Sequence, residues 1–161
     1  MAVGPSTEVD PAGLLAGALA GVDEAAIATL AAHCEVVEFA PGARIASEGT
    51  PADALYVVAS GRVQLSIHQR SAEIPLATVA EGELVGWSWM VAPNRWTFDV
   101  STATGSVLVR VAATTIEALM EADPVAGLAL ARAMVATVSR RLRDTRVQLL
   151  DMYARTSGEG S

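Results

Sequence analysis

The sequence predicts a mainly β fold with flanking helices, built around a small antiparallel barrel or jelly roll. Three observations carry this. Short extended runs fill the middle of the chain, punctuated by turn-forming Gly42, Gly49, Gly61, Gly82 and Gly105. Arg62–Gln69 alternates cleanly, with Val63, Leu65 and Ile67 on one face and Gln64, Ser66 and His68 on the other. Helical periodicity appears only before and after this region.

Met1–Gly13 holds Gly4, Pro5, Ser6, Pro11 and Gly13 and no periodicity, so residues 1–13 read as a mobile lead-in. Leu14–Gly21 is rich in Ala, Gly and Leu and reads as a short helical turn. Asp23 is a fair N-cap for a helix that places Ile27, Leu30, Ala31 and Cys34 on one face. His33 and Cys34 end that helix. Neighbours on a helix point apart and no second cysteine exists, so they read as packing residues and no metal site is expected. Strands are expected at Glu35–Phe39, Arg44–Ala46, Ala54–Ala59, Arg62–Gln69, Glu73–Val79, Leu84-Val85, Trp96–Thr102 and Ser106–Val111. Thr114-Thr115-Ile116-Glu117 contains the Thr-x-x-Glu pattern of a capping box and opens a helix through Met120. Asp123-Pro124 stops it and starts the next, with proline in the first turn. These boundaries give a β domain over 14–123, a long helix over 124–153 and a frayed tail over 154–161.

In the long helix Leu128, Ala131, Val135, Val138, Leu142, Thr145, Leu149 and Met152 are spaced 3-4-3-4-3-4-3. That is an a/d series, the seam of a two-stranded coiled coil, and it predicts a homodimer. The front end of the stripe is expected to pack on the protein's own barrel. The Arg-rich back end (Arg140, Arg141, Arg143, Arg146) reaches too far for one small barrel to cover, and its arginines read as a solvated coiled-coil flank.

Of the 161 residues 52% are hydrophobic and 18% charged, so the chain is not disordered. No apolar run is long enough for a membrane span, and the opening residues lack a basic stretch followed by an apolar one, so secretion is not expected. The single Cys34 excludes an internal disulfide and fits a cytoplasmic protein. Residues 1–123 carry 5 Arg against 15 acids, net −10, and residues 124–161 carry 6 Arg against 3 acids, net +3. An acidic body argues against nonspecific nucleic-acid binding.

Chemistry concentrates in Glu83–Asp99, ELVGWSWMVAPNRWTFD, which holds all three tryptophans of the chain, Trp87, Trp89 and Trp96. It reads as a glycine turn, one helical turn, a second turn at Pro93-Asn94-Arg95, then a strand. A short helix after Gly86 aims free N–H groups at an anion, and Arg95 supplies a guanidinium to match. The opposing reading is a nook plugged by its own tryptophans, with Arg95 paired to Asp99 or a neighbour.

The order of parts is now informative. Phe39–Leu65, FAPGARIASEGTPADALYVVASGRVQL, resembles the opening of the cyclic nucleotide-binding domain family, with Gly42, Gly49, Ala52-Asp53, Tyr56 and Gly61 at the family's turn and strand positions. The resemblance covers roughly Val22 to Arg143. Gly82-Glu83-Leu84-Val85-Gly86 looks like the approach to the family's phosphate-binding cassette, and the closing helix is similar to the dimerisation helix of bacterial activators. The resemblance implies an antiparallel β-roll (a double-stranded β-helix or jelly roll), a cyclic nucleotide or other phosphate-bearing ligand, and a site at Val85, Gly86, Trp87, Ser88, Trp89, Arg95, Trp96 and Thr97. In the family a Gly-Glu pair opens the cassette and the carboxylate takes the ribose hydroxyl; here Trp87 follows Gly86. In the family a Ser or Thr follows the phosphate-binding Arg; here Trp96 follows Arg95, and Thr97 lies on the opposite strand face. Trp89 replaces a small residue, and the cassette is about one residue short.

These departures predict weak or absent cyclic AMP and cyclic GMP binding by a dimeric regulatory module. Two alternatives stand beside it: an adaptor docking an unidentified protein partner through the barrel, and a genuine cyclic nucleotide binder. No catalytic constellation is present in the sequence, so an enzyme is not expected. The activators continue into a DNA-reading helix-turn-helix; Ser161 follows the helix too closely for one, so no DNA-binding domain is expected here.

Overall fold

The computed structural model describes residues 8–158. Helix α1 (Pro11–Ala18) starts inside the expected lead-in. Asp10 caps it, accepting from the Gly13 N–H at 3.1 Å, and Pro11 fits the first turn, where no N–H is needed. Residues 1–7 lie outside the described residues. Helix α2 (Glu24–Ala32) begins as expected, with Asp23 accepting from the Ala26 N–H at 2.8 Å.

Eight strands follow: β1 (Glu35–Phe39), β2 (Arg44–Ala46), β3 (Ala54–Ser60), β4 (Val63–Gln69), β5 (Ala72–Val79), β6 (Leu84–Val85), β7 (Asp99–Thr102) and β8 (Ser106–Ala112). They form two four-stranded antiparallel sheets, ordered β1-β8-β3-β6 and β2-β7-β4-β5. The expected β-roll is therefore present.

Strands β3 and β8 are the spine. Tyr56, Val58 and Leu108 face the space between the sheets, with Val63, Leu65, Val85, Trp96 and Val100. Leu55, Val57, Val109 and Val111, the alternate residues of the same strands, face the helices and meet Leu15, Ile27, Leu30, Ile116 and Leu130. Both faces of β3 are thus covered, which explains its unbroken apolar run.

The alternation of β4 holds, with Val63 and Leu65 inside the roll. The register against β5 shifts between Leu65 and Ser66, leaving Leu76 of β5 as the extra residue. Ser66 stays on the His68 face but is buried there, its hydroxyl donating to Glu73 Oε1 at 2.5 Å. Strand β7 also begins later than the expected Trp96. The Trp96 N–H donates to the Thr50 carbonyl at 2.9 Å and its carbonyl accepts from the Gly49 N–H at 2.8 Å, so Trp96 is held by the Gly49–Thr50 turn.

Helix α3 (Ala113–Ala122) has Ala112 at its N-cap and no side-chain cap. The expected capping box does not form, because the helix starts two residues earlier, where the Ala113 N–H donates to the Asp53 carbonyl at 2.8 Å. Helix α4 (Pro124–Gly158) starts as expected, with Asp123 accepting from the Ala126 N–H at 3.1 Å. Gly127 lets α4 lie close to α3: a Cβ there would sit 3.2 Å from the Met120 Cα. The helix continues past Tyr153 through most of the expected tail, and residues 159–161 lie outside the described residues.

The face of α4 that packs on the body is Ala126, Leu130, Ala133, Met134 and Thr137. This corrects the expectation that the front of the heptad stripe packs there. Leu128 is 54% exposed and Leu142 62%, while Val135, Leu149 and Met152 are exposed to a similar degree. Thr145 is exposed as well, and Ala131 and Val138 are half-buried. The two stripes of α4 are distinct, and the a/d stripe is uncovered except at half-buried Ala131 and Val138.

Candidate functional site

The segment between β6 and β7 turns on Gly86, whose φ of +98° lies in the left-handed region. A Cβ at Gly86 would meet the Ala54 carbonyl oxygen at 2.6 Å and Trp96 Cη2 at 2.9 Å. Only glycine lets the chain and the Trp96 ring approach so closely. A single 3₁₀ turn over Ser88–Met90 follows, too short to act as an anion-binding helix end. The expected anion site at a helix N-terminus is therefore not built. Asn94, at φ +58°, donates through Nδ2 to the Trp89 carbonyl at 2.6 Å and pins the second turn.

The three tryptophans do not share one nook. Trp96 lies between the sheets, 6% exposed, with its ring centroid 6.3 Å from that of Tyr56. Trp89 lies on the opposite side of the sheet, in the helix-covered core, and its Nε1–H donates to the Gly86 carbonyl at 2.8 Å. Trp87 is half-buried and faces α4 across two clefts. The reason is local: the 3₁₀ turn sends Trp87 and Trp89 in different directions, and the later turn carries Trp96 back under β6.

Arg95 and Thr97 are both exposed, on either side of buried Trp96. Arg95 Nη1 donates to the Gly49 carbonyl at 2.6 Å. It does not pair with Asp99. That carboxylate instead accepts from His68 Nδ1 at 2.6 Å and the Glu48 N–H at 2.8 Å, and lies 3.1 Å from Arg44. Burial pushes the Asp99 carboxyl up, but these hydrogen bonds and the Arg44 charge outweigh it and hold it below the usual carboxylate range. Of the eight expected site residues, Val85, Gly86 and Trp96 meet inside the roll, Trp87 faces the helix, Ser88 and Trp89 are buried, and Arg95 and Thr97 turn to solvent.

A cleft of about 230 Å³ lies between the roll and α4. Leu65, Leu76, Phe98 and Trp87 form its inner wall, and Val138, Leu142 and Arg141 of α4 form the other. Arg141 donates to the Leu84 carbonyl and so ties α4 to β6. Burial lowers the Arg141 pKa, with Glu83 acting against that and Arg140 adding to it. Sequence reasoning placed Arg141 on a solvated flank. The signal that finds it is the packing stripe Leu130, Ala133, Thr137, whose next helical step is Arg141. On the far side of Trp87 a second cleft of about 290 Å³ borders Ala131, Val135 and Val138.

The geometry defines a class: an antiparallel β-roll with a cassette-like turn and a long helix laid over its open side. The description of the cyclic nucleotide-binding domain family matches residues 36–123, more than half of the chain, and the chain belongs to that family. It is 26% identical over 138 residues to CRP-like cAMP-activated global transcriptional regulators of Mycobacterium tuberculosis, covering 85% of this chain and 60% of theirs. The chain thus spans only 60% of the length of these curated relatives. Among solved structures it is similar to the N-terminal domain of a transcriptional regulator from Streptomyces coelicolor A3(2), with 30% identity, a TM-score of 0.64, and 83% of this chain and 91% of that one covered. A cyclic nucleotide-binding domain from Methylobacillus flagellatus KT shares the fold at a TM-score of 0.78 with 13% identity, over 88% and 83% of the two chains.

Proposed function

We propose that this chain is a non-enzymatic, dimeric regulatory or sensor module of the cyclic nucleotide-binding domain family that does not take cyclic AMP or cyclic GMP as its ligand. One observation carries the reading: the Trp96 ring lies between the sheets against Gly86, where the resemblance places the sugar and phosphate, while Arg95 reaches outward to Gly49. Trp87 removes the carboxylate that a ribose hydroxyl would need, and losing one charge-assisted hydrogen bond costs about 1.5–3 kcal/mol. Admitting a nucleotide would also require moving a buried indole, whose removal from a core costs about 3–5 kcal/mol. The regulatory role follows the relatives, which are transcriptional regulators, and the exposed a/d stripe of α4 supplies the dimer contact.

Calorimetric titration tests the ligand claim. Neither cyclic nucleotide should show saturable heat at concentrations up to about 1 mM, where ΔG is near −4 kcal/mol. The double substitution Trp87→Glu with Trp96→Ser should bring cyclic AMP binding into reach. Micromolar affinity in the unaltered chain would reject the reading.

A further inference from the structure

Two open sheets have four edges, and these edges are not equally protected. β6 is two residues long, and Arg141 donates to its Leu84 carbonyl. β2 has three residues and a register shift against β7. β5 is longer but carries Pro75, which has no N–H to offer. β1 has none of these devices. It runs five residues in unbroken register beside β8 and contains no proline. No backbone hydrogen bond among the described residues reaches its other side. Such an edge is a row of unpaired N–H and C=O groups, a template for one more strand.

A groove of about 740 Å³ lies along this edge. Val9 and Leu14 at the start of α1, with Val36 and Val107 of the sheet, make its apolar lining, and Val36 is 49% exposed. Its charged lining residues are Glu8, Asp10 and Glu38, and no basic side chain lines it. Asp10 is engaged as the α1 cap, but Glu8 and Glu38 make no ion pair among the described residues. A strand laid beside β1 places every second side chain on the groove face, where Val36 and Glu38 alternate. An apolar residue opposite Val36 covers that valine, and a basic residue opposite Glu38 gains an opposite-charge pair. On the other face a basic residue would lie opposite Glu35, which is 67% exposed beside Arg110. A second copy of β1 brings like charge instead, so charge selects a different, basic chain.

We propose that β1 is a docking edge for an extended segment of a partner protein in which basic and apolar residues alternate, added as a fifth strand to the sheet β1-β8-β3-β6. The backbone supplies the pairing, and the acidic rim sets the sign of the partner. None of the residues lining this groove belongs to the cassette or to α4, so the proposal is independent of what the cassette binds.

The test uses dye-labelled, amidated peptides RVRVRVR, RRRRVVV and EVEVEVE, titrated by fluorescence anisotropy against the full chain at about 0.15 M salt, where exposed charges more than about 8 Å apart are largely screened. RVRVRVR should bind saturably with Kd below about 1 mM, RRRRVVV more weakly, and EVEVEVE not at all. Hydrogen exchange of the Glu35–Phe39 amides should slow when RVRVRVR is bound. Glu38→Arg, a change at an exposed position, should weaken RVRVRVR at least about fivefold, the upper end for one cross-strand charge pair. Glu81→Arg makes the same change of charge on the turn before β6, at the opposite edge of the sheet, and should leave binding unchanged. Circular dichroism checks that both variants keep the roll. The proposal is overturned if RVRVRVR does not bind, if RRRRVVV binds as tightly, if the β1 amides exchange at the same rate with peptide present, or if Glu38→Arg and Glu81→Arg have equal effects.

Discussion

Three indoles in one short segment have three fates, and each fate is decided by what the backbone does around it. Trp96 takes the space inside the roll because Gly86 has no side chain to dispute it. Trp89 satisfies its N–H on the Gly86 carbonyl and so can be buried among apolar helix residues. The neighbouring carboxylate is equally committed. Asp99 links β7 to His68 on β4, to the Glu48 N–H and to Arg44 on β2, and Arg44 also approaches Glu73 on β5 at 3.8 Å. Its carboxyl is held below the usual range, so the folded state binds its proton less readily than the unfolded chain. The stabilisation is present above the unfolded carboxylate pKa and is lost as pH falls through the lower folded value. Urea midpoints measured on acidification should therefore decline in that window. Asp99→Asn, which keeps the shape but not the charge, should be less stable at neutral pH and should decline less. Parallel declines would show that Asp99 contributes no net pH dependence.

At the level of strands and helices, much was legible before any coordinates. The strands of the roll are marked by alternation and glycine turns, the start of α2 by Asp23 and the start of α4 by Asp123-Pro124. Three elements were misread, for separable reasons. The start of α1 lies inside the expected lead-in, because Asp10 caps it and Pro11 fits its first turn, a two-residue signal with no periodicity behind it. The Thr114 capping box is absent because a tertiary bond from the Ala113 N–H to Asp53 fixes an earlier start for α3. The stripe on α4 that packs on the body consists of Ala126, Leu130, Ala133 and Met134, small or flexible residues easily overlooked beside the bulkier a/d series. The site was legible as a segment and not as a geometry, since the paths of Trp87, Trp89 and Arg95 depend on a three-residue turn and a glycine. The helix starts give a direct check. Asp123→Ala removes a side-chain cap and should cost about 1 kcal/mol. Thr114→Ala removes nothing that caps and should stay within about 0.5 kcal/mol of the parent. If the two substitutions cost the same in urea denaturation, the start of α3 described here is wrong.

For the molecule as a whole, the unsolved surface is the far half of α4. Beyond Arg141 every described residue of the helix is exposed, including Leu142, Leu149, Leu150, Met152 and Tyr153. A helix that leaves its own body in this way lacks the tertiary packing on which most helices depend, and helical propensity alone gives it little stability. The a/d series Leu128, Val135, Leu142 and Leu149, with Ala131, Val138, Thr145 and Met152 between, offers a second copy an isologous seam with its own apolar core. The packing stripe lies on a different face and stays engaged with the roll, so one helix can serve both contacts at once. Charge fits the same arrangement, because the body is net negative and Arg140, Arg143 and Arg146 flank the seam on the outside. Leu142→Asp places two carboxylates opposite each other at the middle of that seam, where like charges and lost burial both oppose pairing. It should sediment as a monomer at concentrations where the parent chain is a dimer, and lose helical signal from the far half of α4. Arg143→Asp, one residue along but off the seam, should remain dimeric. A dimeric Leu142→Asp chain would mean that the subunits meet through some other surface and that the a/d stripe serves a different partner.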